Sequence, residues 1–439
     1  MGKTLAVLST VLAVSACAGG RVTEVSPQQI PALEAELQER PNNPDLLLRY
    51  GAALYAANQC DSARVVARRG STLKPYDALG PLVIGPCLEG AGEFDLAVAE
   101  YRAYLANHGD RRGADAVRAR EMLALREQAN RQARDVLARE TELTQQPADP
   151  QTIAVLPVSI TGDSSFLPLG RGLAQMIISD LDLLRQFRMV ERLQVGALLA
   201  ELEFGQADRV DASTAARVGR LLQAGRMVQG LAVIPPDGVT RLEASIVLAD
   251  GQIVPGQPAT GRFEDLLRLE KEVALSIAQQ LGYVLSEAER RLILENGTEN
   301  LVAFLAYSRG LEAEDLGDYS AAAQHYAGAV QADPGFQQAR TQYQATAVAP
   351  QVQQAAPGQV TTVANQSADP PQPATDPTGS ALTSAIYEVS PTQAEGATGT
   401  GAGDEGSVNT NTASPPSSNT QTHPSPTATG TIRIVFVLP

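Results

Sequence analysis

Residues 187–234 hold two β-prone apolar runs separated by two segments with helical spacing, and this alternation constrains the fold most. The first run, Phe187 to Val190, is closed by Glu191 and Arg192. Leu193, Val195, Leu198, Leu199 and Leu202 then recur near the period of an amphipathic helix. A polar turn, GQADRVD (205–211), leads to Asp211-Ala-Ser-Thr, which sets a capping residue ahead of the helix AARVGRLLQ. The run RMVQGLAVI (226–234) re-enters a strand. Strands that alternate with helices bury their apolar faces by layering helices on a sheet, so the stretch predicts an α/β fold.

Its surroundings extend that reading. QQPADP (145–150) marks a domain boundary by its Pro and polar content, and TIAVLPV (152–158) is a β-branched first strand. SITGDSSFLPLGRG (159–172) reads as a loop into the helix LAQMIISDLDLL (173–184). RMVQGLAVI and RLEASIVLA (241–249), joined by PPDGVT, form an antiparallel hairpin. QIVPG (252–256) is an edge strand limited by Pro255. One helix from Phe263 to Leu294 carries an apolar stripe interrupted by Glu270. The prediction for 151–295 is an α/β sandwich with a mixed sheet.

The order of elements in Met189–Gly230, with Glu191-Arg192 closing the first strand and D-A-S-T-A-A-R-V-G-R-L-L-Q-A spanning the second helix, resembles the core of the curli-secretion lipoprotein (CsgG-like) family. The resemblance covers about Ile153 to Leu294, a third of the chain. It implies a periplasm-facing outer-membrane lipoprotein, of a family whose founding type assembles a ring with a secretion pore made of amphipathic hairpins. A membrane-spanning strand needs about 9–11 residues of alternating character, paired into hairpins. The ten residues between 158 and 169 hold no such hairpin. Leu242, Ala244, Ile246 and Leu248 alternate far enough, but their partner is broken by Pro255 and Pro258. The departure favours a scaffold over a pore.

Helical repeats flank this domain. Residues 44–146 begin with small or apolar residues at Leu47, Tyr50, Gly51, Leu54, Ala63, Ala67 and Gly70, ending at Pro75. Thirty-four residues on, Gly85, Leu88, Ala97 and Tyr101 stand where Gly51, Leu54, Ala63 and Ala67 stood. This register resembles a tetratricopeptide repeat, in which small residues let paired helices approach closely. The second unit departs from it at Pro81, Pro86 and Gly109, and a non-repetitive helical bundle fits the same residues. Residues 112–146 read as one long charged helix. Within 300–345, Ala306, Gly310, Ala313, Ala322, Tyr326, Ala329 and Pro334 repeat the first unit's spacing. A single unit cannot build a solenoid, so it is expected to pack on the preceding helix or on another chain.

The first 16 residues carry Lys3 and an apolar run from Thr4 to Val14, too short to span a bilayer and right for a signal peptide. Val14-Ser15-Ala16-Cys17 resembles a bacterial lipobox. The resemblance implies lipidation of Cys17 and cleavage before it, and Ala18 implies the outer membrane. An ordinary secretory signal with an incidental cysteine is the alternative. Residues 17–43 read as a tether that passes into a short helix, PALEAELQER. In an oxidising compartment Cys60 and Cys87 can pair, worth about 3 kcal/mol; two separate buried thiols fit equally. From 346 to 430 the chain is Ala, Thr, Ser, Pro, Gly and Gln, a composition that cannot offset chain entropy and predicts disorder. Residues 431–439, TIRIVFVLP, can add as a strand to a sheet edge or end the chain without a role.

Chemistry is sparse. A formal charge of −15 argues against nucleic acid as a partner. His108, His325 and His423 are too dispersed for His-based catalysis or a metal site. Gly170-Arg171-Gly172 opens a helix, but Gln175 stands where a phosphate loop needs Gly and no Lys-Ser/Thr follows. Asp163, Ser164 and Ser165 lack a base, and Asp180 and Asp182 lie on different sides of one helix. Glu191-Arg192 reads as a strand-end ion pair or a helix cap. The expectation is a protein that is not an enzyme and takes no cofactor or metal. It scaffolds assembly or transport at the envelope, contacting other envelope proteins or exported subunits through its helical repeats and open to homo-oligomerisation. The competing reading is a curli-type channel.

Overall fold

The computed structural model describes residues 24–202, 211–236 and 238–371. The signal peptide, Cys17 and the segment 431–439 lie outside the described residues.

Helices α1 (Ile30–Glu39), α2 (Pro44–Ala56), α3 (Cys60–Leu73), α4 (Leu79–Gly90), α5 (Phe94–His108) and α6 (Ala114–Ala138) come first, followed by a turn of helix, α7 (Glu140–Leu143). Asn43 caps α2 by accepting from the Leu46 N–H, with Pro44 in the first turn, where its missing donor costs nothing. The 34-residue spacing has a direct packing cause. A Cβ at Gly51 would sit 3.1 Å from the Ala67 Cβ, and one at Gly85 would overlap the Tyr101 ring. Ala63 and Ala97, at matching positions, are fully buried. Small residues on one helix make room for the next at the same step of each hairpin.

The α/β part contains β1 (Asp149–Val155), β2 (Ser159–Gly162), α8 (Leu169–Asp182), β3 (Arg188–Met189), α9 (Arg192–Glu201), α10 (Ala212–Leu221), β4 (Ala224–Ile234), β5 (Thr240–Leu248), β6 (Ile253–Pro255), β7 (Ala259–Gly261), α11 (Leu266–Gln280) and α12 (Glu287–Glu295). Its mixed, seven-stranded sheet runs β3-β1-β4-β5-β6, with β2 on β4 and β7 on β5. β1 and β2 both run parallel to β4, β1 beside Ala224–Val228 and β2 beside Leu231–Ile234. They form one line interrupted at Pro157, which has no N–H to donate. Beyond it the Val158 N–H turns away to the Gly170 carbonyl. The loop expected over 159–172 therefore starts as a strand. One sheet face, with Val228, Ala232, Leu242 and Ile246, packs under α8 and α11. The other, with Ala154, Met227 and Val247, packs under α9 and α10. Three layers result.

Helices α13 (Leu301–Leu316), α14 (Tyr319–Ala332), α15 (Gln337–Gln354) and α16 (Val360–Val363) complete the described chain. A Cβ at Gly310 would strike the Tyr326 ring, sixteen residues on, as Gly85 and Tyr101 are sixteen apart. Ala322 is buried like Ala63 and Ala97. This hairpin packs on α8, and α15 packs on α6.

Three expectations change. The helix over 263–294 is two: Gly282, at φ +79°, ends the first, and Ser286 caps the second by accepting from the Glu289 N–H. The tether expected over 17–43 is docked structure from residue 24: Val25 is buried, its N–H donates to the Gly358 carbonyl at 3.1 Å, and Leu33 packs against Leu46 and Ala53. The disorder expected from 346 begins too early. In α15, Ala345, Val348, Ala349 and Val352 make a helical apolar stripe that, with Val360, Val363 and Ala364, joins the core of the first helical unit. The segment crosses α2, α4 and α6, the first helices of successive hairpins. Its small side chains look like low-complexity sequence and pack like a helix.

Candidate functional site: the Glu191–Arg192 junction

No group of three or more His, Cys, Asp or Glu among the described residues could hold a metal. Asp163 caps a short 3-10 helix by accepting from the Ser165 N–H. Gly170 and Gly172 are packing positions, where a Cβ would meet the Val158 carbonyl and the Ser308 hydroxyl respectively. Cys60 and Cys87 form a disulfide, Cα to Cα 5.3 Å, between α3 and α4. It staples the first hairpin to the second.

The concentrated chemistry is electrostatic and sits where β3 passes into α9. Glu191 Oε1 accepts from Arg102 Nη2 of α5 at 2.9 Å, and Arg102 Nε donates to Glu121 of α6 at 2.8 Å. Next to it, Arg192 turns the opposite way. Its guanidinium is nearly buried and pairs with Asp315 and, at 3.4 Å, with Glu314 at the end of α13. Burial alone would lower the Arg192 pKa, but the Asp315 and Glu314 charges outweigh it and hold the group protonated. Burial pushes the Glu314 carboxyl up; Arg192 and the Tyr326 hydroxyl, donating to Glu314 Oε2 at 2.7 Å, oppose the rise. Arg171 of α8 donates to Asp315 at 2.7 Å, and Arg126 of α6 donates to the Glu314 carbonyl at 2.6 Å. One dipeptide thus ties the α/β layer to both helical units. The local reading of Glu191-Arg192 as a strand-end ion pair or a cap misses partners 89 to 123 residues away. A hint of them in sequence is Glu314-Asp315 near the end of a helix whose first half is apolar.

A second charged cluster is internal. Lys271 Nζ donates to both Asp180 oxygens at 2.8 and 2.7 Å, and Asn296 adds a third bond at 2.8 Å. Glu270, fully buried, has only Lys271 Nζ at 3.3 Å. Burial first, then the Asp180 charge, drives the Glu270 carboxyl well above the usual range.

Layered helices on a mixed sheet, fixed by charge to flanking helical hairpins, define an α/β domain embedded in a helical array. The family model described as curli production assembly/transport component CsgG matches residues 136–234 of this chain. The match covers less than a quarter of the sequence, and no curated protein matches it. It starts upstream of the boundary expected at 151, for a structural reason: Val136, Leu137 and Leu143 pack in the same cluster as α9 and α10. Arg217 of α10 also grips Glu140 of α7 in a fork at 2.6 and 2.8 Å. Glu191 and Arg192 lie inside the matched stretch, and their partners lie outside it.

Proposed function

We propose that the chain is a non-enzymatic lipoprotein of the outer membrane, anchored through Cys17 and facing the periplasm. It acts as a scaffold in the assembly or transport of envelope material or surface fibres. The observation that carries this reading is the CsgG-type stretch held by ion pairs between flanking helical hairpins, through Glu191 to α5 and through Arg192 to α13. Helical arrays commonly offer extended surfaces to protein partners. Here α15 and α16 cover the face made by α2, α4 and α6, so the surface left for envelope partners is the opposite one, where Val65, Leu73 and Leu96 are exposed. Non-pore behaviour has its own support. The long hairpin β4–β5 lies inside the sheet with helices on both faces.

The acylated protein purified from membranes is expected to show neither ring-shaped particles nor conductance in planar bilayers. Rings that conduct would replace the scaffold with a curli-type channel. Cys17→Ser is expected to abolish incorporation of labelled palmitate into the protein; labelling that persists would remove the anchor.

A further inference from the structure

The chain carries a formal charge of −15, yet a cleft of about 570 Å³ in its first helical unit is lined by Arg49, Lys74, Arg111 and Arg112. Four segments converge there: α2, the turn between α3 and α4, the turn between α5 and α6, and the returning α16. Three carboxylates stand beside these four cations and leave Arg49 and Arg112 as the unmatched pair. Asp77 and Asp45 are taken up by Lys74 at 2.9 and 2.7 Å, and Asp110 lies 3.9 Å from Arg111. Arg49 and Arg112 are exposed and form no ion pair among the described residues. Ala78, Leu79 and Ala364 supply an apolar floor, and Asn365 a polar wall. The concavity is built in. Gly113 sits at φ +84°, and a Cβ there would lie 2.2 Å from the Ala364 carbonyl oxygen, so glycine at this turn lets the returning segment that forms one wall pack close. Guanidinium forks match oxyanions in geometry as well as charge, and like charges gathered in one concave site are relieved by binding one.

The cleft also has a place relative to the chain's start. Thr361 on its wall is three residues from Gly358, which holds Val25. Cys17 precedes Val25 by eight residues, a span of at most roughly 28 Å.

We propose that this cleft binds a phosphate-type oxyanion, and that in the cell the oxyanion is the headgroup of an anionic phospholipid in the bilayer that holds Cys17. The lipid source rests on the anchor reading above; the oxyanion chemistry does not. The test uses the full chain with Cys17→Ser, so that acylation contributes nothing. Inorganic phosphate is titrated by calorimetry, and co-sedimentation is measured with phosphatidylcholine vesicles with and without phosphatidylglycerol. The expected result is phosphate binding, together with sedimentation only when phosphatidylglycerol is present. Arg49→Gln with Arg112→Gln, surface changes that leave the fold intact by circular dichroism, should weaken vesicle binding roughly 30-fold, at about 1 kcal/mol per arginine. Phosphate binding that depends on these arginines without any vesicle binding would overturn the lipid source and leave a free phosphate as the ligand. Binding of both probes unaffected by the double change, or binding of neither, would overturn the site.

Discussion

The helical hairpin α13–α14 and the hairpins of α2–α5 share one packing rule but are held in place by different means. In both, a glycine faces a larger residue sixteen positions on, and an alanine between them is buried. The first pair of hairpins stacks on itself, adds the Cys60–Cys87 disulfide, and covers one face with α15 and α16. The α13–α14 hairpin packs α14 on α15 and α13 on α8 of the α/β layer, where it is locked through Arg192, Arg171, Glu314 and Asp315. Local sequence sets the hairpin; the available neighbour sets where it docks.

That contrast can be broken at either end. The largest effect is expected from Arg192→Ala, which leaves Glu314 buried without its cation. Removing one partner of a buried pair costs about 3–5 kcal/mol. Hydrogen exchange should rise in α13 and α14 and stay unchanged in α2 to α5. The reverse pattern is expected from Cys60→Ser with Cys87→Ser. The chain-entropy account gives about 3 kcal/mol for a loop of this length, read as faster exchange confined to α2–α5. A smaller and pH-dependent effect distinguishes the internal cluster. Glu270 has a raised pKa when folded and an ordinary one when unfolded, so the folded state binds the extra proton. Stability should therefore fall by up to about 1.4 kcal/mol per pH unit between the unfolded carboxyl pKa and the raised folded one. Glu270→Gln should remove that slope and be more stable than the parent at pH 7, by an amount that shrinks toward pH 5 in urea titrations. At the bottom of the scale, Arg40→Ala breaks an exposed pair with Glu36 at 2.9 Å and should change the unfolding free energy from urea titration by less than about 0.5 kcal/mol.

Features set by short-range chemistry were legible in the sequence. The spacing of Gly51, Ala63 and Ala67 and its recurrence located the helix pairs, and Asp211 marked the start of α10, where its side chain accepts from the Thr214 N–H at 2.7 Å. The alternation of strands and helices around Met189–Gly230 located the sheet. Features set by distant partners were not legible. Short β2 is defined by β4, seventy residues on, and Pro157 hides its continuity with β1. α15 carries a stripe of Ala and Val among Gln and Thr, which composition alone places with the tail. The roles of Glu191 and Arg192 depend on Arg102 and Asp315, and no periodicity connects those positions. Glu270 appeared only as a polar break in an apolar stripe, since nothing local reveals that Asp180 faces it.

The central claim is that Arg192 joins the CsgG-type stretch to the helical unit rather than capping its own helix. A double-mutant cycle of Arg192→Met and Asp315→Asn, followed by urea unfolding, tests it most directly. Residues in one buried charge network couple by about 0.5–3 kcal/mol, and the account expects a value in the upper half of that range. Additive effects, with coupling below about 0.3 kcal/mol, would contradict it.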